Sequence, residues 1–444
     1  MTKPLLLRGG RVVTMDASRR VLDGDVLVEN GRIKKVGRTG GRADGPKPTT
    51  IDCRGLIVLP GLIQAHIHLC QTLFRGLADD LSLEAWLAER IWPLEAAHTK
   101  GSIHASAMLG AAELLLGGTT AILDMESVRH TDTAFEALES IGIRATAGKC
   151  LMDAPSSPDS LRERTDTALS ESADLCGTWH GAAGGRLRYC FAPRFAPSCT
   201  GPLLRAVSDL AERAAATIHT HAAETLLELD MVKRETGHDE IAYLDSVGIS
   251  GPRTALAHCV WVDRDAIARL ARQGTNVVHC PSSNLKLGSG VAPIPEMLAA
   301  GCRVGIGADG APCNNRLDVF AELRLAALVQ KPRLGPDVLP AAQVLELATL
   351  GGARALGLES EIGSIEAGKC ADLTVLDLGG LHAQPEDADL ISRIVYSARA
   401  ADVRHVVVDG KIVVRDGELK TADVAEIRRT ANTEARRLRG AAGI

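Results

Sequence analysis

Four short segments of this chain carry residues that could hold one metal ion and move protons beside it. They are His66-Ile67-His68, His219-Thr220-His221-Ala222-Ala223-Glu224, Ala257-His258-Cys259 and Gly307-Ala308-Asp309-Gly310. Side chains at i and i+2 leave a strand on the same face, so His66 and His68 can reach a common ion. The same rule admits either His219 or His221 as a third ligand. The spacing to Glu224 favours His221 and leaves His219 as a supporting or wall residue.

Three neutral imidazoles with the Asp309 carboxylate suit Zn²⁺ or Fe²⁺ better than Mg²⁺ or Ca²⁺, which prefer oxygen shells. The expected cofactor is therefore one divalent ion, Zn²⁺ by default with Fe²⁺ the other candidate. Such an ion lets a water lose its proton near neutral pH. Asp309 is placed to take that proton and His258 to orient the nucleophile. Glu224 is placed to exchange a proton with a ring nitrogen, as general acid and then base. Attack at an amine-bearing ring carbon, followed by loss of ammonia, is a hydrolytic deamination.

These residues are scattered over more than half of a 444-residue chain, so the fold must gather them. Each follows a short apolar run. Strand candidates fall at 56–62, 119–125, 144–150, 187–191, 217–221, 254–258, 276–280 and 303–308, separated by alanine-rich helical patterns. That alternation predicts an α/β fold, a (β/α)₈ TIM-type barrel over 58–368, whose strand ends carry the chemistry. The two chain ends read differently. Residues 5–14 form a hairpin-like stretch and 25–36 a second with Asn30-Gly31 at its turn; 371–377 and 403–414 repeat the texture around Asp409-Gly410. Parts 1–57 and 369–444 are thus expected to build one small β-sandwich, with a terminal helix over 422–440.

Composition excludes several classes. Hydrophobic residues are 45% and charged residues 24%, as in ordinary globular enzymes, while aromatics at 3% demand an aliphatic core. A net charge of −5 without basic clusters argues against nucleic-acid partners. The 11 cysteines lack CxxC pairs, which points to reduced thiols and a cytoplasmic location. The first apolar run is too short for a signal peptide, and no stretch approaches the roughly 20 apolar residues of a membrane span.

The motif Pro60-Gly-Leu-Ile-Gln-Ala-His66-Ile-His68, with His221-x-x-Glu224, Ala257-His258-Cys259 and the 305–318 segment, resembles the amidohydrolase superfamily. The resemblance is to its branch of purine-nucleoside and aminoheterocycle deaminases. It implies the sandwich-plus-barrel layout, a single metal on His66, His68, His221 and Asp309, and a homo-oligomer. Lys149 follows the third strand, whereas the bridging lysine of binuclear relatives comes from the fourth. Gln71–Asp80, Trp86-Leu87, Ile91–Glu95, His279–Gly288 and Gly307–Asn315 resemble deaminases of 5′-modified adenosines. By that resemblance Glu95 would accept hydrogen bonds from ribose hydroxyls, and Gln71, Lys149, Arg194 and Phe195 would contact substrate. The chain departs from the methylthioadenosine/S-adenosylhomocysteine type at two points. Arg194 stands where that type has a histidine, and Lys149 where an arginine is near, which leaves the 5′-substituent open.

Two other readings accompany this one. The same metal site could serve guanine, 8-oxoguanine, a pterin or an s-triazine, and a scaffold protein of this fold could have abandoned catalysis. The complete ligand and proton-handling set weighs against the scaffold.

Overall fold

The computed structural model describes residues 3–38 and 47–444. Met1, Thr2 and 39–46, which belong to the expected N-terminal part of the sandwich, lie outside the described residues. Eight strands, Leu62–His68, Thr119–Met125, Arg144–Gly148, Leu187–Pro193, Thr217–Ala222, Thr254–His258, Asn276–His279 and Arg303–Ile306, lie side by side in chain order. All their pairings are parallel. The tip of the last strand, Asp309-Gly310, pairs with Ile67 and His68 and closes the ring. The helices between strands show the sequence logic locally. Arg264–Gln273 starts on Asp263, whose side chain accepts from the Ala266 N–H, buries Ile267 and Leu270 on one face, and ends at Gly274 with φ +67°.

The second sheet joins both chain ends. Its path runs from Glu418–Leu419 through Lys411–Arg415, Val403–Val408 and Leu373–Leu376 to Ile57–Pro60, Leu5–Val13, Val21–Glu29 and Arg32–Gly37, with Thr49–Asp52 paired on Leu5–Val13. Asn30-Gly31 and Asp409-Gly410 form two-residue turns with positive φ throughout, as expected. The terminal helix is present over Val424–Ala442.

Two sequence expectations are corrected here. Residues 5–14 are one strand rather than a hairpin: pairing with Val21–Glu29 is interrupted by a bulge between Leu7 and Gly10, not reversed. The first barrel strand is Leu62–His68, not 56–62, because Ile57–Pro60 pairs with Leu5–Val13 and Leu373–Leu376 in the end sheet. Both runs are fully buried, so hydrophobicity alone could not separate them.

A buried Arg144–Asp372 pair pins the two sheets together. The guanidinium donates to both carboxylate oxygens at 2.6 and 3.0 Å from the third barrel strand.

Candidate active site

Inside the barrel, Ile63 and Ala65 belong to the inner cluster with Ala121, Leu123, Ala192 and Val278, while Ile67 packs in the outer layer. The register against Thr119–Met125 shifts between Gln64 and Ile67. This irregularity changes which face the strand presents, so that both histidines turn inward at its end. Strand eight must pass close to them. A Cβ on Gly307 would lie 2.5 Å from the His66 carbonyl oxygen, so only glycine fits there. Gln64 fixes the approach by accepting from the Ala308 N–H at 3.0 Å and donating to the Leu317 carbonyl at 2.9 Å.

His66, His68, His221 and Asp309 converge so that one ligand atom from each lies within 4.8 Å of the others. The tautomer of every imidazole follows from its second contact. His68 Nδ1 donates to the Met125 carbonyl at 2.8 Å and His221 Nδ1 to the Arg194 carbonyl at 2.5 Å. His219 Nδ1 donates to the Ala255 carbonyl at 3.1 Å, which leaves its Nε2 bare. That Nε2 lies 2.7 Å from His66 Nδ1 and accepts its proton. Each of the three remaining Nε2 atoms therefore presents a lone pair to the same point.

The consequence is a site that suits a cation. His68 Nε2 and His221 Nε2 stand 3.0 Å apart with no proton between them, and His66 Nε2 has no hydrogen-bond partner. Asp309 Oδ1 lies 3.2 and 3.3 Å from His66 and His68 Nε2. A tetrahedral ion with metal–nitrogen distances of about 2.0–2.1 Å has ligand edges of about 3.3 Å, so these residues fit one. Burial, reinforced by the neighbouring imidazoles, lowers the basicity of His68 to a pKa of about 4 and that of His221 well below the usual value. Burial would raise Asp309, but the histidines hold it well below the usual carboxylate range. Neutral imidazoles and an ionised carboxylate are the forms a metal takes.

Backbone strain marks the same place. His258 (φ +73°), Asp309 (φ +64°) and Ala223 (φ +51°) sit in the left-handed region. His258 Nδ1 contacts Asn284 Oδ1 at 2.8 Å, which turns Nε2 toward Glu224 Oε2 at 3.6 Å and Asp309 Oδ2 at 3.9 Å. Burial alone would lower the His258 pKa; the Glu224 and Asp309 carboxylates raise it instead. Glu224 is itself pushed up to about 7, chiefly by burial. A carboxyl poised near neutrality beside a metal-type cluster is suited to proton transfer.

The pocket above these groups, about 260 Å³, is lined by His68, His221, Glu224, His258 and Asp309 at its floor, and by Gln71, Arg194 and Phe195 on its side. Glu95 is buried behind this side wall. It receives both Arg194 nitrogens at 2.6 and 3.2 Å and Gln71 Nε2 at 2.8 Å. Three of its acceptor positions are thus taken by Arg194 and Gln71, and Glu95 is not among the residues that line the pocket. The Lys149 ammonium is buried against the Val128 carbonyl, Glu163 at 2.9 Å and Glu171 at 3.0 Å, away from the pocket.

Sequence reasoning missed several supports. Ser289 Oγ donates to Glu224 Oε1 at 2.9 Å, and Ser283 Oγ donates to Asp309 Oδ2 at 2.6 Å. Glu228 Oε2 accepts from the Glu224 N–H at 2.7 Å while its own N–H bonds Thr225. Thr225-x-x-Glu228 is a readable capping box. Ser283 lies within a run that resembled the family, whereas nothing marked Ser289.

The barrel, the closing end sheet and the histidine–aspartate cluster are those of a hydrolase family, and the chain belongs to it: residues 57–413 match the Amidohydrolase family. A 5-methylthioadenosine/S-adenosylhomocysteine deaminase of Desulforudis audaxviator is 41% identical over 98% of this chain and 99% of its own length. A 5′-deoxyadenosine deaminase of Methanothermobacter thermautotrophicus is 39% identical over 98% and 99%. The crystal structure of an adenosine deaminase from Xanthomonas campestris with bound zinc superposes with a TM-score of 0.92 at 34% identity, covering 98% of both chains.

Proposed function

We propose that this protein is a metal-dependent aminohydrolase that removes the 6-amino group of 5′-modified adenosines as ammonia and leaves the inosine-type product. The observation that carries the proposal is the convergence of three bare Nε2 atoms and Asp309 beneath a pocket that also holds Glu224 and His258. The deaminase relatives, alike over nearly the whole chain, support the same reading.

His66, His68, His221 and Asp309 would hold one divalent ion, Zn²⁺ by default, which when bound makes water nucleophilic near neutral pH. The chain's own groups handle the protons. Asp309 accepts the proton of the attacking water, and His258 directs its oxygen to carbon 6. Glu224, kept protonated by burial, gives its proton to the adjacent ring nitrogen as the carbon–oxygen bond forms. The ring carbon then expels its amine, which leaves as ammonia with the proton held by Asp309, and Glu224 recovers its own. Gln71 and Arg194, held by Glu95, and Phe195 position the nucleoside along the side wall. Eleven buried free thiols support a cytoplasmic setting, and no helix of the described residues is long and apolar enough to cross a membrane. Family likeness supports a homo-oligomer.

Ammonia release by metal-loaded protein from adenosine, 5′-deoxyadenosine and methylthioadenosine tests the proposal. Turnover of at least one is expected; activity on guanine alone would overturn it.

A further inference from the structure

Resting on that reading, we infer that the pocket selects nucleosides whose 5′-substituent is uncharged and apolar, and discriminates against a 5′-tail that carries a carboxylate. The reacting carbon must sit at the floor, within reach of Asp309 and Glu224, so the opposite end of the nucleoside faces the mouth. The rest of the lining is largely apolar, with Leu83, Trp86, Leu87, Leu227, Met231 and Leu287, of which Leu227 is 48% exposed. Histidines aside, Arg194 is the single cation among the described residues that line the pocket. It is buried and paired with Glu95 through hydrogen bonds of 2.6 and 3.2 Å. Lys149 is held by Glu163 and Glu171 outside the cavity.

The acidic group exposed on this lining, Glu84, has the wrong sign for an anion. A carboxylate brought there would find no unpaired cation among the described lining residues to compensate its charge. A 5′-methyl or 5′-methylthio group, by contrast, buries apolar surface against the leucines and Met231.

The test compares kcat/KM of the metal-loaded enzyme for 5′-deoxyadenosine, methylthioadenosine, S-adenosylhomocysteine and the 5′-butylthio analogue, which keeps the tail length of S-adenosylhomocysteine without its charges. The first two should exceed S-adenosylhomocysteine by about tenfold or more, mainly through KM, because an unpaired charge forfeits its hydrogen-bond stabilisation. The butylthio analogue should recover most of the loss. Equal rates for S-adenosylhomocysteine and methylthioadenosine would overturn the inference while leaving the deaminase reading intact. An analogue as poor as S-adenosylhomocysteine would also overturn it, by assigning the loss to tail length. No turnover of any of the four would remove the deaminase reading itself, and the inference with it.

Discussion

His219 Nε2 accepts from His66 Nδ1 at 2.7 Å, so a histidine outside the proposed ligand set fixes the tautomer of one inside it. The chain ends on the Ala255 carbonyl, which sets the His219 ring in turn. Replacing His219 with Leu removes the acceptor and frees the His66 ring to rotate. Metal affinity, measured by competition with a chromogenic chelator, should fall about 10- to 100-fold. An unchanged affinity would show that packing alone orients His66.

Glu224 titrates near 7 because burial opposes its ionised form. In the proposed reaction it acts first as an acid, so kcat/KM should decline as pH rises through about 7 and its proton is lost. Ser289 donates to Glu224 Oε1 and favours the ionised state. Ser289→Ala should therefore raise the Glu224 pKa and move the decline to higher pH. Glu224→Gln should reduce kcat by about 10²- to 10⁴-fold, the usual contribution of a positioned proton-transfer group. Steady-state pH profiles check both variants; a limb unmoved in Ser289→Ala would assign it to another group.

Glu95 and Arg194 form a buried pair, with burial raising the carboxyl pKa and the guanidinium more than reversing the shift. Glu95→Ala leaves the Arg194 charge alone in the interior and should cost about 3–5 kcal/mol of stability. Adding Arg194→Met should restore much of that stability without restoring KM. Denaturant melts with a substrate assay on both variants separate these effects. Full stability in Glu95→Ala alone would contradict the pairing.

Arg144 and Asp372 link the third barrel strand to the end sheet, with side chains 5% and 2% exposed. Asp372→Ala should destabilise by about 3–5 kcal/mol, since it strips a buried guanidinium of its main partner. A denaturation midpoint within error of the parent would show that the two sheets are held by apolar contact alone.

The parts of this fold that were readable in sequence are those set by local patterns. The strand-ending histidines, the His221–Glu224 spacing and the Asn30-Gly31 turn all depend on neighbours within a few residues. The misplaced first barrel strand shows the limit. Ile57–Pro60 and Leu62–His68 are both wholly buried, and only Gly61 separates the sheet they join at one side from the barrel at the other. Glu95 shows a second limit. Its partner Arg194 lies 99 residues away, so no local spacing announces the guanidinium that pairs with it. Lys149 is expected beside substrate through the family resemblance, but its ammonium turns to Glu163 and Glu171, which no spacing announces.

The central claim is that one ion is shared by His66, His68, His221 and Asp309. Anomalous diffraction at the zinc edge from crystals of zinc-loaded protein tests it most directly. The expected result is a single peak at about 2.0–2.2 Å from the three Nε2 atoms and an Asp309 oxygen. Two peaks in the pocket, or a peak that leaves any of these four residues outside bonding distance, would contradict it.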